Sequence, residues 1–171
     1  MSKLNLIFYN ILLFVTFILF SESHAQTTIV GLAKVIDGDT IIINKTKIRF
    51  GGIDAPESYF KGKTQTCFMI ASNEEFLCGK KSKIILENKL AGKTISCITE
   101  KNKDKYERVI AECFLNFESI SSFMVRSGYA FDYKKYSKGK YSDDEIAAKK
   151  NNLGMWSMKF DYPWIWRNNN K

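Results

Sequence analysis

Lys47-Ile48-Arg49-Phe50-Gly51-Gly52-Ile53-Asp54-Ala55-Pro56-Glu57 is the stretch that decides how this chain folds. Residues 47–53 alternate in a way that predicts a β-strand, with Arg49 on the face opposite the apolar side chains. A proline then stops the strand. Asp54 and Glu57 follow at its end, three positions apart. The stretch therefore predicts a polar site at the end of a strand.

A second acidic turn lies just upstream, at Asp37-Gly38-Asp39-Thr40. It separates two runs rich in Ile and Val, residues 28–36 and 40–44, and the Asp-Gly pair predicts a hairpin between them. Carboxylates from two chain segments, together with an arginine, are the groups that hold a hard cation against a phosphodiester. Taken singly, Asp39 could cap a turn and Arg49 could be a surface charge, so the prediction depends on their combination.

The rest of the chain predicts two further strands and three helices. Helical spacing of apolar side chains indicates a helix over 79–90, and strands are expected over 93–99 and 108–115, joined by a polar connection at 100–107. Asn116 is the expected N-cap of a second helix that ends before Gly128, and Ser142 to Glu145 form a capping box that opens a third. Residues 58–78 are expected to be irregular.

This order of elements predicts an α+β fold, a five-stranded Greek-key OB barrel with three helices. An aromatic tail follows the last helix, and core or edge packing is the expected role of its members Trp156, Phe160, Tyr162, Pro163, Trp164 and Trp166. Lysines and tyrosines alternate between Lys134 and Tyr141, which suits a groove that tracks a nucleic-acid backbone, although a solvated loop explains them too.

Residues 1–25 have the pattern of a secretory signal peptide. Lys3 gives a positive start, an apolar run extends to Phe20, and Ser23-His24-Ala25 is a small-residue cleavage site. An uncleaved membrane anchor is the alternative, because the run approaches the about 18 residues of a spanning helix. We expect cleavage after Ala25, a single domain over 26–171, a secreted or periplasmic location and no stable membrane association afterwards.

Charge and histidine content narrow the chemistry. The net charge of +8 is unchanged when residues 1–25 are removed, because one lysine and one glutamate leave together. A basic exported protein is attracted to nucleic acid, anionic lipid or acidic glycan. The only histidine is His24. Histidine-based acid–base catalysis, histidine-ligated metals and serine–histidine triads are therefore excluded from the mature chain.

Four cysteines in an exported chain predict two disulfides, for which three connectivities are possible. Cys97 and Cys113 lie in neighbouring predicted strands, and Cys67 and Cys78 bracket a short loop. We favour these two pairs. A zinc site is not expected, because C-x-x-C spacing is absent from the sequence.

The motifs resemble those of the staphylococcal nuclease-like (thermonuclease) family, in its exported bacterial branch. The family pattern V-x-D-G-D-T is matched by residues 35–40, R-[LF]-x-G-I-D-A-P-E by 49–57, D-[RK]-Y-G-R by 104–108 and G-[LM]-W by 154–156. Order and spacing agree across nearly the whole mature chain. The second motif is highly specific, whereas D-G-D-T alone is an ordinary turn.

The resemblance implies a role for each matching residue. Asp39 and Asp54, with the backbone carbonyl of Ala55, would ligate Ca²⁺. Glu57 would be the general base, and Arg49 and Arg108 would bind the phosphate. The nucleotide pocket would be lined by Lys105, Tyr106 and Tyr136, with Tyr133 as the competing candidate.

One departure from the family pattern concerns the second arginine. The family has glycine before it, and this chain has Glu107. Glycine permits a tight backbone path there, and a glutamate is expected to pair with Arg108 and weaken its hold on phosphate.

We therefore expect a monomeric, calcium-dependent endonuclease that hydrolyses DNA and RNA and leaves 3′-phosphate ends. The alternative is an OB-fold module that binds nucleic acid without catalysis. A basic adhesion or lipid-surface protein is a third class, which would not need the Asp39 and Asp54 pair.

Overall fold

A computed structural model describes residues 26–171, and the expected signal segment 1–25 lies outside the described residues. The strands are β1 Thr28–Leu32, β2 Lys34–Asp37, β3 Thr40–Ile43, β4 Thr46–Phe50, β5 Ile53–Asp54, β6 Cys67–Met69, β7 Glu75–Phe76, β8 Thr94–Lys103, β9 Val109–Leu115, β10 Glu118–Ser119, β11 Phe131–Asp132 and β12 Met158–Lys159. The α-helices are α1 Cys78–Leu90, α2 Ile120–Arg126, α3 Lys134–Ser137, α4 Ser142–Lys150 and α5 Pro163–Asn169, with a 3-10 turn at Gly154–Ser157.

The main sheet curls into a barrel. Its strands follow the order β1-β8-β9-β4-β3-β2, with β10 added beside β9. The two ends of this path, β1 and β2, are consecutive pieces of chain separated only by Ala33. Neighbours are antiparallel except β4 and β9, which run parallel with Arg49 beside Ile110. The predicted α+β class and OB-type barrel are confirmed.

The barrel interior is filled by the inward-facing apolar side chains of its strands. Ile41, Ile43, Ile48 and Phe50 are fully buried, and Leu86 of α1 closes one end. Burial of each such side chain contributes about 1.5–3 kcal/mol. The same alternation that buries Ile48 and Phe50 turns Arg49 to the opposite face of β4.

The connections differ from the sequence predictions in several places. β8 extends to Lys103, so part of the expected polar connection at 100–107 is strand. Residues 58–78 contain β6 and β7, which pair with each other, and β6 pairs also with β12. Asn116 is not an N-cap, because it lies in a tight turn with a left-handed φ of 49°. Ser119 caps α2 instead and accepts a hydrogen bond from the Ser122 N–H at 3.1 Å.

The expected capping box at Ser142 is also wrong. The Ser142 hydroxyl donates to an Asp132 carboxylate oxygen at 2.8 Å, and Glu145 accepts from the Asp132 backbone N–H at 3.0 Å. Both side chains are thus used to anchor β11 rather than to cap α4. Two helices, α3 and α5, are absent from the sequence predictions, because each has only one or two turns. The alternation of lysines and tyrosines at α3 suggests a groove or a solvated loop, and the aromatic side chains of α5 suggest packing.

Two disulfides cross-link the fold. Cys97 and Cys113 face each other across β8 and β9, and Cys67 joins the start of β6 to Cys78 at the start of α1. Within residues 26–171, no helix has the length and apolarity required to cross a membrane.

Candidate active site

The turn between β2 and β3 brings Asp39 against the first helix. A Cβ added to Gly38 would lie 2.0 Å from the Ser82 hydroxyl oxygen and 2.8 Å from the Ala55 Cβ, so only glycine fits there. Asp39 is 4% exposed. One of its carboxylate oxygens accepts from the Thr40 hydroxyl at 2.8 Å, and the other accepts from the Ala55 backbone N–H at 3.1 Å.

Arg49 joins the two predicted metal-binding carboxylates. Its Nη1 lies 2.8 Å from an Asp39 oxygen, and its Nη2 lies 2.7 Å from an Asp54 oxygen. The same Nη2 donates to the Ile53 carbonyl at 3.2 Å. Asp54 is fully buried, which makes a paired guanidinium necessary for its charge. Arg49, Asp39 and Asp54 therefore lie together on one side of the barrel.

Glu57 reaches the same place from the loop after β5. Its backbone N–H donates to the Gln65 side-chain oxygen at 3.2 Å. Gly79 at the start of α1 presses against it, since a Cβ there would lie 1.8 Å from the Glu57 carbonyl oxygen. These contacts fix the backbone of Glu57, whose side chain is 15% exposed.

A third arginine, Arg167 of α5, completes the cluster and was missed by the sequence analysis. It binds Asp54 with both terminal nitrogens, at 2.6 and 3.1 Å, and its Nη1 also donates to Glu57 at 2.5 Å. The one available signal was Pro163, which favours a helix start and so places Arg167 one turn later. The aromatic side chains around it indicated only packing.

Arg108 contacts the cluster through Thr40. Its Nη1 donates to the Thr40 hydroxyl oxygen at 3.1 Å, while its Nε and Nη2 bind Asp104 at 2.7 and 2.6 Å. The expected pairing of Glu107 with Arg108 is wrong. Glu107 takes a left-handed φ of 59° and its carboxylate lies 3.4 Å from the Lys103 Nζ. It thus adopts the backbone path that glycine favours and turns away from Arg108.

The tyrosines expected at the nucleotide pocket lie in two separate places: Tyr106 in the turn between β8 and β9, and Tyr133 and Tyr136 at the start of α3 and within it. Tyr106 is 63% exposed, and its ring lies 5.4 Å from the Arg108 guanidinium and 4.9 Å from the Lys105 Nζ. Tyr133 stacks on Trp164 at 4.9 Å with an interplanar angle of 3°, and Tyr136 meets the Tyr133 ring edge-on. The structure thus places Tyr133 between Tyr136 and the C-terminal helix.

Burial and like charge alter the acidity of the cluster. Burial raises the pKa of Asp37 to about 8, with Asp39 and Glu57 adding to the effect. Burial also raises the pKa of Glu57, helped by Asp39 and opposed by Arg167. For Arg49, burial acts to lower the pKa, but Asp39 and Asp54 outweigh it and the pKa is raised. A carboxylate with a raised pKa is a stronger base, which suits proton abstraction.

The donor set suits a hard cation only in part. Asp39 and Asp54 offer buried carboxylate oxygens, and Ala55 offers a backbone carbonyl, which are ligand types that Ca²⁺ accepts. Among residues 26–171, no group of three or more histidine, cysteine or acidic side chains is arranged for a metal. A cation there would rely on two carboxylates, with water or phosphate oxygens as its other ligands.

Comparison with known proteins identifies the family of this chain. A family model for staphylococcal nuclease homologues matches residues 47–158. The succinoglycan biosynthesis protein ExoI of Rhizobium meliloti (strain 1021) is 30% identical over 136 residues, 79% of this chain and 68% of that protein. An uncharacterized endonuclease of Haemophilus influenzae is 29% identical over 151 residues, 85% of this chain and 75% of that protein.

A third relative contains the matching region as a small part of its length. Endonuclease YhcR of Bacillus subtilis (strain 168) is 30% identical over 138 residues, which cover 72% of this chain and 11% of that protein. The family model spans more than half of the chain and includes Arg49, Asp54, Glu57 and Arg108. The chain therefore belongs to the family of staphylococcal nuclease homologues and is a nuclease that hydrolyses phosphodiester bonds.

Proposed function

We propose that this nuclease is a calcium-dependent endonuclease that cleaves DNA and RNA and leaves 3′-phosphate ends. The observation that carries the proposal is that three acidic side chains meet in one cluster. Arg49 binds Asp39 and Asp54, and Arg167 binds Asp54 and Glu57. Two of the relatives described above are also named as endonucleases.

Glu57 is the group we assign to proton abstraction from water. Its fixed backbone and partly exposed carboxylate give it a defined position facing solvent. The raised pKa makes the carboxylate a better base than an ordinary glutamate. The water oxygen would attack phosphorus, the bond from phosphorus to O5′ would break, and the leaving oxygen would take up a proton.

Arg49 and Arg108 are the groups we assign to the charge that develops on the phosphate oxygens. A guanidinium presents paired N–H donors that match the geometry of a phosphate. Removal of a donor of this kind from a transition state typically costs about 3 kcal/mol. Arg108 is held by Asp104 and Thr40, so its orientation is set before substrate arrives.

Asp39, Asp54 and the Ala55 carbonyl are the groups we assign to Ca²⁺. A bound cation of this kind would polarise a phosphate oxygen and neutralise its charge. The aromatic residues Tyr106, Tyr133 and Tyr136, with Lys105, would bind bases and backbone phosphates beside this site.

The test is an activity gel with the purified protein on DNA and on RNA, with calcium and after chelation. We expect both substrates to be degraded with calcium and cleavage to stop on chelation. End-labelling of the products should identify 3′-phosphates. Binding of either substrate without cleavage would instead support the alternative of a non-catalytic nucleic-acid-binding protein.

We also propose export and action as a monomer. The pattern of residues 1–25 supports a cleaved signal peptide, and two disulfides suit an oxidising compartment. Sequencing the N-terminus of protein recovered from periplasm or medium tests the cleavage after Ala25.

A further inference from the structure

Arg167 uses the acceptor capacity that a cation would need. A carboxylate oxygen has two lone pairs. One Asp54 oxygen accepts from Arg49 at 2.7 Å and from Arg167 at 3.1 Å, and the other accepts from Arg167 at 2.6 Å. Arg167 also binds Glu57. Its guanidinium therefore bridges the carboxylate assigned to the cation and the carboxylate assigned to proton abstraction.

Simultaneous binding of a divalent cation and this guanidinium is unfavourable. Both would lie against Asp54, in a site where burial reduces screening of their mutual repulsion. Arg49 already supplies one positive charge to the same carboxylate. A further cation would leave Asp54 with three positive partners.

The segment that carries Arg167 is anchored independently of this contact. The Gln65 side-chain N–H₂ donates to the Asp161 carbonyl at 2.8 Å, Trp164 stacks on Tyr133, and Trp166 packs edge-on against Phe60. The Arg167 side chain is 23% exposed, so it has an outward path. Its guanidinium can therefore swing to solvent while α5 stays in place.

We propose that Arg167 is a resident counter-ion of Asp54 and Glu57, which a divalent cation displaces before the site becomes active. The inference rests on the proposed calcium site. It makes Arg167 a determinant of cation affinity: the arginine occupies oxygens of both carboxylates, and it raises the calcium concentration required to fill the site.

The experiment is a calorimetric titration of the purified protein with calcium alone, without nucleic acid. Arg167→Gln is compared with wild type and with Arg126→Gln, which removes the same charge from an exposed arginine on α2 that pairs with Glu118. We expect Arg167→Gln to bind calcium about tenfold more tightly, since loss of a competing charge-assisted hydrogen bond changes an equilibrium constant by about that factor. Arg126→Gln should match wild type.

Unchanged or weaker calcium binding by Arg167→Gln would overturn the proposal, because weaker binding would mean that the guanidinium supports the cation site. The variant Asp54→Asn separates the two ideas. If wild type binds calcium, Asp54→Asn does not and Arg167→Gln equals wild type, the proposed function stands and this inference falls. Absence of binding in all of them overturns both.

A second measurement needs no variant at the site. In wild type, the Arg167 Nη–H protons, which donate to Asp54 and Glu57, should exchange slowly with solvent in the calcium-free protein and rapidly when calcium saturates it, as followed by NMR. An Arg167 signal that calcium leaves unaltered would contradict the proposal even if Arg167→Gln fails to fold.

Discussion

The site draws on two regions that the sequence describes very differently. The barrel region, from Asp37 to Glu57, carries two dense motifs and presents its acidic groups from adjoining turns. The C-terminal region, from Phe160 to Asn169, carries no such motif, yet it supplies Arg167 to the same carboxylates and Trp164 to Tyr133. The groups that we assign to the reaction thus lie in the barrel turns, whereas the groups that we propose to regulate and support it lie in a segment that tertiary packing brings near.

The physical reason lies in how each region is held. Turn geometry and strand alternation fix the positions of Asp39 and Arg49 locally. The residues next to them in sequence must therefore be of types that suit the turn and the strand. Arg167 is fixed by tertiary contacts between distant parts of the chain. It binds Glu57, 110 positions away, and its segment is held where Gln65 donates to the Asp161 carbonyl across 96 positions. Contacts between distant residues leave little pattern in the sequence around either residue.

The largest expected effect belongs to the barrel region. Glu57→Gln keeps the size of the side chain but removes the base, so turnover should fall by about 10²- to 10⁴-fold. Affinity for a nucleotide should change far less, by about threefold at most, because Glu57 is not assigned to substrate binding. Single-turnover rates and equilibrium binding measure the two quantities separately.

Glu87→Gln is the matched control for this substitution. Glu87 lies on α1, where its carboxylate is 3.8 Å from Lys83, and the change should leave turnover as in wild type. Near-normal turnover in Glu57→Gln would mean that Glu57 is not the base and that the barrel region does not supply it.

An intermediate effect is expected from the C-terminal region. Trp164→Leu removes the ring that stacks on Tyr133 while keeping an apolar side chain, so KM for nucleic acid should rise roughly fivefold. The value of kcat should stay within about twofold, because Trp164 supports a binding side chain and touches none of the acidic groups. Steady-state kinetics on a single-stranded substrate supplies both constants.

Ile165→Ala offers a neighbouring control. Ile165 lies beside Trp164 on α5 and is 43% exposed, so its truncation should leave KM unchanged. A drop in kcat rather than a rise in KM for Trp164→Leu would show that this segment takes part in the reaction step itself.

The smallest effect is expected at Glu107. Glycine relieves the left-handed strain of this residue, by about 1 kcal/mol, but adds backbone entropy to the unfolded chain, so stability in urea should change by only about 0.5 kcal/mol. Activity of Glu107→Gly should stay within about twofold of wild type, because Arg108 is already paired with Asp104.

Asn116→Gly is a suitable comparison, since Asn116 has a similar left-handed φ far from the acidic cluster. A large gain in activity confined to Glu107→Gly would mean that the glutamate restrains Arg108 after all, which its contact with Lys103 argues against.

The fold was largely predictable because local and global signals coincide. The alternation in residues 47–53 and the Asp-Gly turn both predict short strands with tight connections. In the barrel, β2 pairs with β3 and β3 pairs with β4, as these signals predict. The errors fall where a polar side chain had two possible uses. Ser142 and Glu145 have the spacing of a capping box, but Asp132 in another element takes both hydrogen bonds.

The barrel half of the candidate site was predictable for the same reason, and the other half was not. Arg49, Asp54 and Glu57 follow one another within nine residues, on β4, on β5 and in the loop after β5. Arg167 is a single basic residue after two tryptophans, and its partners are decided by how Trp164 and Trp166 pack. The sequence shows that aromatic side chains are present, but it does not show how they pack or where that packing places Arg167.

The parallel pairing of β4 with β9 has a kinetic consequence. It sets Ile48 opposite Val109, so Arg49 and Arg108, which we assign to the phosphate, come together only after a loop of some sixty residues has closed. The entropy cost of closing a loop of this length comes before the favourable contacts between the two strands form, and this slows folding. Recovery of cleavage during refolding should accordingly lag behind recovery of the first hairpin's circular dichroism signal.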